Sequence, residues 1–169
     1  MNIKEIVWNV VLTVLCIACF PANPLVLTGL IDTAFYLPLF IIGCVLWAVG
    51  MVLVMAPIVM FPRRGGVAKG KSFVHTTRLV DTGIYSVVRH PQYLGGILAL
   101  FLTTMLWYPH WLFVVLGVPG IAILYASTPM EEQRLIKQFG DEYRDYMTRV
   151  PRMNIIQGII RRWQGSQGG

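Results

Sequence analysis

The sequence predicts an all-α integral membrane protein. About four transmembrane helices, the last two a helical hairpin, precede a cytoplasmic amphipathic helix. Three observations carry that prediction. Of the 169 residues, 56% are hydrophobic and only 13% are charged, against about 25% charged in an ordinary soluble domain. The apolar residues come in blocks: residues 34–61 hold no charge, and about 20 apolar residues suffice to cross a bilayer. The 14 Lys and Arg residues are confined to Lys4, the 62–90 stretch and a C-terminal group from Arg134 to Arg162.

The first span reads as residues 6–30, interrupted by Pro21 and Pro24. The second is 34–61, the third 93–108, which is short for a full crossing, and the fourth 111–128. Tyr93, Trp107, Tyr108 and Trp111 are placed as interfacial anchors. Pro109-His110 makes a tight turn between the last two spans. By the positive-inside rule, the basic 62–90 loop and both termini face the cytoplasm, as an even number of spans requires. The net charge of +6 then meets anionic headgroups, and its division among loops argues against nucleic acid as a partner. The whole chain, 1–169, reads as one domain: two spans (1–61), a cytoplasmic loop (62–90), the hairpin (91–128) and a cytoplasmic C-terminal segment (129–169).

Cys16 and Cys19 have CxxC spacing, but on an apolar helix that pattern reads as packing, as does Cys44. No metal set, GxGxxG or GxSxG is present. A cleaved signal peptide is not expected, since no small-residue cleavage site stands out and further spans follow. The final Gly-Ser-Gln-Gly-Gly reads as a flexible tail.

Two polar segments hold the chemistry. The first, KGKSFVHTTRLVDTGIYSVVRHPQYLGG from Lys69, begins as loop. It turns at Asp81-Thr82-Gly83, forms a helical turn over 84–88, and enters the third span at Pro91, where a proline suits a first helical turn. Gly95 and Gly96 leave one face bare for a close neighbour. The second, PMEEQRLIKQFGDEYRDYMTRVPR from Pro129, repeats apolar residues at helical spacing (Leu135, Ile136, Phe139, Tyr143, Tyr146, Met147). It is therefore expected to be an amphipathic helix continuing from the fourth span and ending at Val150-Pro151. Ile155, Ile156, Ile159, Ile160 and Trp163, with Arg161 and Arg162 beside them, suit a segment along the membrane interface. Because the third and fourth spans are antiparallel, Arg89, His90 and Tyr93 should meet Glu131 and Glu132. Ionisable groups that converge at a membrane boundary mark a candidate functional site.

The combination LVDTGIYSVVRHPQYLGG, a two-helix hairpin, a Glu pair, FGDEYRDY and Val-Pro resembles the isoprenylcysteine carboxyl methyltransferase family and, more loosely, the phospholipid methyltransferases. The resemblance covers about residues 75–152. It implies an S-adenosylmethionine-dependent methyltransferase whose cofactor enters from the cytosol and whose lipophilic acceptor enters from the lipid. By the same resemblance, Thr77, Arg78, Leu79, Val80, Tyr85, His90, Pro91, Gln92 and Tyr93 line the cofactor, and Glu131 binds its methionine end. Chemistry agrees: an ammonium wants a carboxylate, a carboxylate wants the donors of Arg89 and His90, and Tyr85 and Tyr93 offer faces to adenine or a sulfonium. Arg89, His90 and Glu132 form the catalytic group, with His90 or Glu132 as base if the acceptor is an ammonium.

The chain departs from the prenylcysteine pattern at Ser127, where that family places a substrate-contacting arginine. Arg78, Arg149 and Arg152 are the alternatives. A prenylated cysteine, an amine-headgroup lipid, another lipid and a small apolar thiol are all compatible acceptors. Two rival readings are an NADPH-dependent enzyme resembling the sterol reductases and a non-enzymatic four-span lipid-binding scaffold. The sequence leaves the oligomeric state undetermined.

Overall fold

The structure is a computed structural model and describes residues 3–66 and 76–167. The described residues form helices and connections, with no strand among them. α1 is Ile3–Ala18, α2 the single turn Pro24–Leu27, and α3 Leu37–Arg64. A 3₁₀ turn, Gly83–Ser86, precedes α4 at Pro91–Trp107. α5 is Trp111–Phe139, α6 Asp141–Arg149 and α7 Ile155–Gln167. The stretch from Lys69 expected as loop lies outside the described residues until Thr76.

The chain divides into two compact units, Met1–Met51 with Gly95–Ser127, and Val52–Leu94 with Thr128–Gly169. Three helices, α3, α4 and α5, run through the divisions.

In the first unit the expected 6–30 span is corrected. It is a helix only to Ala18, followed by a break and one turn. The cause is Pro21 and Pro24, which lack N–H groups and cannot continue the ladder. The carbonyls freed by the break find side chains instead. Asn23 donates to the Ala18 carbonyl and caps α2 through Leu25 N–H. The Thr104 hydroxyl donates to the Cys19 carbonyl, and the Tyr108 hydroxyl to the Pro21 carbonyl at 2.6 Å. An unwound backbone in an apolar surround persists only with such partners. Trp107, expected as an interfacial anchor, donates its indole N–H to the Phe40 carbonyl at 3.1 Å and stacks on the Phe40 ring. Cys16, Cys19 and Cys44 are free thiols.

The expected hairpin of α4 and α5 is present, turning at Pro109-His110. A Cβ on Gly120 would fall on the Phe101 ring, and one on Gly117 on the Met105 methyl. On its other side α4 meets α3, where a Cβ on Gly50 would lie 2.8 Å from the Gly95 carbonyl oxygen. The bare Gly95 face therefore takes a helix, one of the two neighbours, helix or ligand, that such a face allows. Midway, α4 widens to π geometry over Ile97–Leu102. The Thr103 hydroxyl donates to the Leu98 carbonyl at 2.8 Å there, a local polar insertion of the kind that loosens a helix.

In the second unit α5 continues past its apolar part, but the single helix expected to run on to Val150-Pro151 is corrected: it breaks at Gly140. Gly140 holds φ 62°, a conformation that only glycine adopts without strain. α6 restarts at once and buries Tyr143 and Tyr146, which with Val150 form a core against Leu79, Leu135, Ile136, Phe139 and Met147. The Asp81-Thr82-Gly83 turn is also present, with Gly83 at φ 62°. Gly165 to Gln167, read as tail, belong to α7.

α3 and α5 are long and apolar enough to cross a membrane, with 17% and 22% of their most apolar windows buried. Val45, Val52, Ile58, Val114 and Val118 are among many exposed apolar side chains along them. Each such side chain left in water forgoes about 1.5–3 kcal/mol, so these surfaces suit hydrocarbon as their solvent.

Gly120→Val should force the Phe101 ring aside and cost about 1–3 kcal/mol, typical of overpacking. A lowered unfolding midpoint in detergent checks it, with Val118→Ala, at an exposed site on the same helix, as the neutral control.

Candidate active site

The second unit gathers the polar residues. Residue 132 falls on the inward face of α5, and the Glu132 side chain is 4% exposed. Arg152 grips its carboxylate from two nitrogens, Nε to Oε1 at 3.1 Å and Nη2 to Oε2 at 2.6 Å. His90 Nε2 and Arg89 Nη1 each lie 3.2 Å from Oε1. The backbone fixes this meeting, since the N–H groups of Arg89 and His90 donate to the carbonyls of Pro151 and Arg152. Residues just before α4 are thus strapped to residues just after α6.

Protonation follows from these contacts. Burial pushes the Glu132 carboxyl up, but the Arg152 hydrogen bonds and the charges of Arg89, Arg152 and His90 outweigh it and hold the group below its usual range. Burial lowers the His90 imidazole below its ordinary value, and Glu132 offsets only part of that. The histidine is therefore neutral at pH 7. Its Nε2 faces a carboxylate, which only accepts, so the proton sits on Nε2 and Nδ1 is the basic nitrogen.

Arg89 has more donors than partners. Its side chain is 9% exposed, yet Nε and Nη1 make no hydrogen bond, and neither does the buried Tyr143 hydroxyl. Burial, and then the charge of Glu132, pushes the Tyr143 phenol up, which keeps it a donor. Two cavities open to solvent, enclosing about 350 and 590 Å³ with the solvent at their mouths included, share Phe61, Thr76, Tyr85, Arg89 and Leu135 as lining. The smaller adds Arg78, Leu79, Val80, Phe139, Tyr143 and Tyr146. The larger adds His90, Pro91, Gln92, Tyr93, Glu131, Arg134 and Gln138. Tyr85 is oriented by its neighbours: its ring lies 5.3 Å from that of Phe61, and its carbonyl accepts from the Tyr146 hydroxyl at 2.6 Å. The His90 and Tyr93 rings meet edge to face at 5.6 Å.

The structure thus brings together most residues singled out in the sequence. Arg78, Leu79, Val80, Tyr85, Arg89, His90, Pro91, Gln92, Tyr93 and Glu131 all line one cavity or both. Thr77 does not; it is exposed, its hydroxyl donating to the Gly66 carbonyl at 2.9 Å, and Thr76 takes the place on the wall. Glu132 also lines neither cavity, being enclosed by its cationic partners. Glu131 carries a partner the sequence reading missed, Arg134, whose Nε donates to Oε2 at 3.0 Å. Their i, i+3 spacing was the available signal. Ser127 belongs to the first unit, where its Oγ accepts from the Trp8 indole at 2.8 Å. Among the described residues no group of His, Cys, Asp or Glu is arranged to hold a metal.

The family profile described as phospholipid methyltransferase matches residues 38–142, more than half the chain. The chain belongs to the phospholipid methyltransferase family. Methanethiol S-methyltransferase of Pseudomonas deceptionensis is 33% identical over 84 residues, which is 50% of this chain and 30% of that protein. Methanethiol S-methyltransferase 2 of Bradyrhizobium diazoefficiens is 38% identical over 68 residues, 40% of this chain and 25% of that protein. The Protein-S-isoprenylcysteine O-methyltransferase of Mus musculus is 35% identical over 102 residues, 53% of this chain and 31% of that protein. The chain spans less than a third of the length of each of these relatives. No solved structure matches it. With its apolar exposed helices, this member of the phospholipid methyltransferase family is a membrane protein.

Glu132→Ala should be the most damaging single change in the second unit. It strands buried guanidinium charge, and breaking a buried ion pair costs about 3–5 kcal/mol. A fall in the unfolding midpoint far beyond that of Glu142→Ala, an exposed carboxylate, checks it. Acid should act on the same cluster. With His90 below 6.5 and Glu132 below 4.5 in the folded state, the unfolded chain takes up protons first, so stability is lost as pH falls. The loss begins below about 6.5 with the unfolded-state histidine. His90→Gln should remove that upper part of the loss and leave the lower part, which unfolding midpoints measured from pH 7 to 4 would resolve.

Proposed function

We propose that the chain is an S-adenosylmethionine-dependent methyltransferase acting on a lipophilic acceptor dissolved in the membrane. The single observation that carries the reading is the surplus of buried donors. Arg89 Nε and the Tyr143 hydroxyl make no hydrogen bond, Arg89 Nη1 has only its 3.2 Å ion pair with Glu132, and both residues line the cavities. Buried donors left unpaired cost about 1–3 kcal/mol each, so a ligand that supplies an acceptor oxygen regains that cost on binding. The amino-acid end of S-adenosylmethionine has a carboxylate for these donors and an ammonium for Glu131. The rings of Phe61, Tyr85 and Tyr93 suit its adenine and its sulfonium. The family and the relatives' names support methyl transfer as the reaction.

When bound, S-adenosylmethionine would supply a sulfonium methyl for in-line attack by the acceptor's lone pair, the new bond to carbon forming as the C–S bond breaks and its electrons leave with S-adenosylhomocysteine. The residues of this chain align and enclose. Arg89 and Tyr143 fix one end of the ligand, and Leu79, Val80, Leu135 and Phe139 supply an apolar wall that excludes water. His90 is neutral and lines the larger cavity, so it is the group that takes a proton from an ammonium acceptor; a carboxylate or thiolate needs no base. Glu132 holds Arg89, His90 and Arg152 in register and takes no part in proton transfer.

Four spans complete the proposal. α1 and α4 are the shorter crossings, α3 and α5 the longer, and the basic 62–90 loop with the 129–169 segment faces the cytoplasm. The active site then opens to the compartment that holds the methyl donor.

The test uses the full chain in bilayers, labelled S-adenosylmethionine and a total lipid extract. Label in a lipid band, lost in Arg89→Met, establishes the reaction, and mass analysis names the acceptor. Absence of S-adenosylmethionine binding by calorimetry, or binding of NADPH in its place, overturns it. Tyr143→Phe sharpens the site map. It removes a hydroxyl that bonds nothing in the protein, so the unfolding midpoint should hold while affinity for the methyl donor falls about fivefold, the worth of one hydrogen bond of about 1 kcal/mol.

A further inference from the structure

α7 is fastened to the second unit along one side. Gly158 is buried so closely that a Cβ there would overlap the Val87 carbonyl. Asn154 caps the helix by accepting from Gln157 N–H at 3.0 Å. Arg162 donates to the Ser86 hydroxyl at 2.8 Å, and Arg161 to the Thr148 carbonyl at 3.2 Å. Docked this way, α7 turns Ile156, Ile159, Ile160 and Trp163 outward, exposed by 72, 56, 49 and 64%. Their i, i+3, i+4, i+7 spacing makes one continuous stripe.

We infer that this stripe is an interfacial anchor seated in the headgroup region of an anionic bilayer, bracing the stretch that carries Arg89 and His90. Charge complementarity selects the occupant. α7 contains no acidic residue, and the exposed Arg161 and Arg162 lie between Ile160 and Trp163 of the stripe. Their remaining guanidinium donors match lipid phosphates, and basic residues beside an apolar helix face favour anionic lipid. The chain's own apolar helices hold α7 at a bilayer permanently, so lipid outcompetes any protein partner in effective concentration. Trp163 is of the residue type that settles at that depth. The brace follows from the contacts. α7 presses on Val87 and Ser86, and the segment leading into it supplies the carbonyls that bind the N–H groups of Arg89 and His90.

The test is quenching of Trp163 in the full chain, reconstituted in phosphatidylcholine vesicles with or without phosphatidylglycerol. The Trp163 signal is the emission lost in Trp163→Phe. Expected is quenching by lipids brominated near the headgroup end of their acyl chains and not by aqueous iodide. It should be stronger with phosphatidylglycerol, and Arg161→Gln/Arg162→Gln should abolish that difference. Iodide quenching without bromolipid quenching would overturn the anchor, and so would shielding from both, which would mean a second copy or another protein covers the stripe. Equal bromolipid quenching with and without phosphatidylglycerol would overturn the anionic part. The readout involves no methyl transfer, so its failure is distinct from failure of the proposed activity.

Discussion

The carboxylate of Glu132 is the point on which the second unit depends. It is one negative charge, buried, with two guanidiniums and an imidazole around it. Arg152 takes both of its oxygens in hydrogen-bonding geometry. Arg89 comes within 3.2 Å but is left without a hydrogen bond from Nε or Nη1. One carboxylate cannot satisfy two forked cations, and the arithmetic of donors leaves a remainder. That remainder belongs to a residue lining both cavities. The same interaction that ties α5 to the start of α4 and to the segment after α6 therefore also equips the cavities with positive charge. Such a charge is tolerable because Glu132 neutralises part of it at close range; without that carboxylate the desolvation of Arg89 would have nothing to set against it.

Much of this was legible because membrane sequences are constrained. Residues 34–61 had to be a helix, and α3 is one, displaced by three residues at each end. A three-residue connection at Pro109 leaves only an antiparallel hairpin, which in turn brings residue 90 towards residue 132. What the sequence concealed falls into two kinds. One is burial within an amphipathic pattern: Tyr143 and Tyr146 fit an interfacial surface as well as a core, and only the packing of α6 on Leu79 and Leu135 decides between them. The other is pairing across a turn. Arg152 follows Pro151, beyond the end of α6, where no periodicity applies, and its role rests on two backbone hydrogen bonds that no spacing rule encodes.

The first unit shows the opposite relation between polarity and site. Asn23, Thr104 and Tyr108 are polar residues in an apolar surround, and each is spent on a carbonyl that the break after Ala18 exposes. In the fold they are the condition for ending α1 where two prolines end it. Ser127 is of the same kind, bonded to Trp8 and to the Ile123 carbonyl. It is engaged in holding helices together, whereas the arginines that line the cavities, Arg78, Arg89 and Arg134, all belong to the other unit.

This division bears on proton handling. A carboxylate becomes a useful base when its surroundings raise its affinity for protons, as an apolar pocket does. Glu132 has the reverse surroundings, and it gives up basicity in exchange for position. His90 has the complementary arrangement: burial keeps it neutral, and the carboxylate at Nε2 fixes which nitrogen is basic. The pair resembles a base and its orienter, in which the acid residue sets the tautomer and never itself carries the proton. In the proposed reaction such an arrangement serves an acceptor that must lose a proton, while one that is already an anion needs no base. The acceptor's charge state, more than its carbon skeleton, is then what decides whether His90 is needed at all.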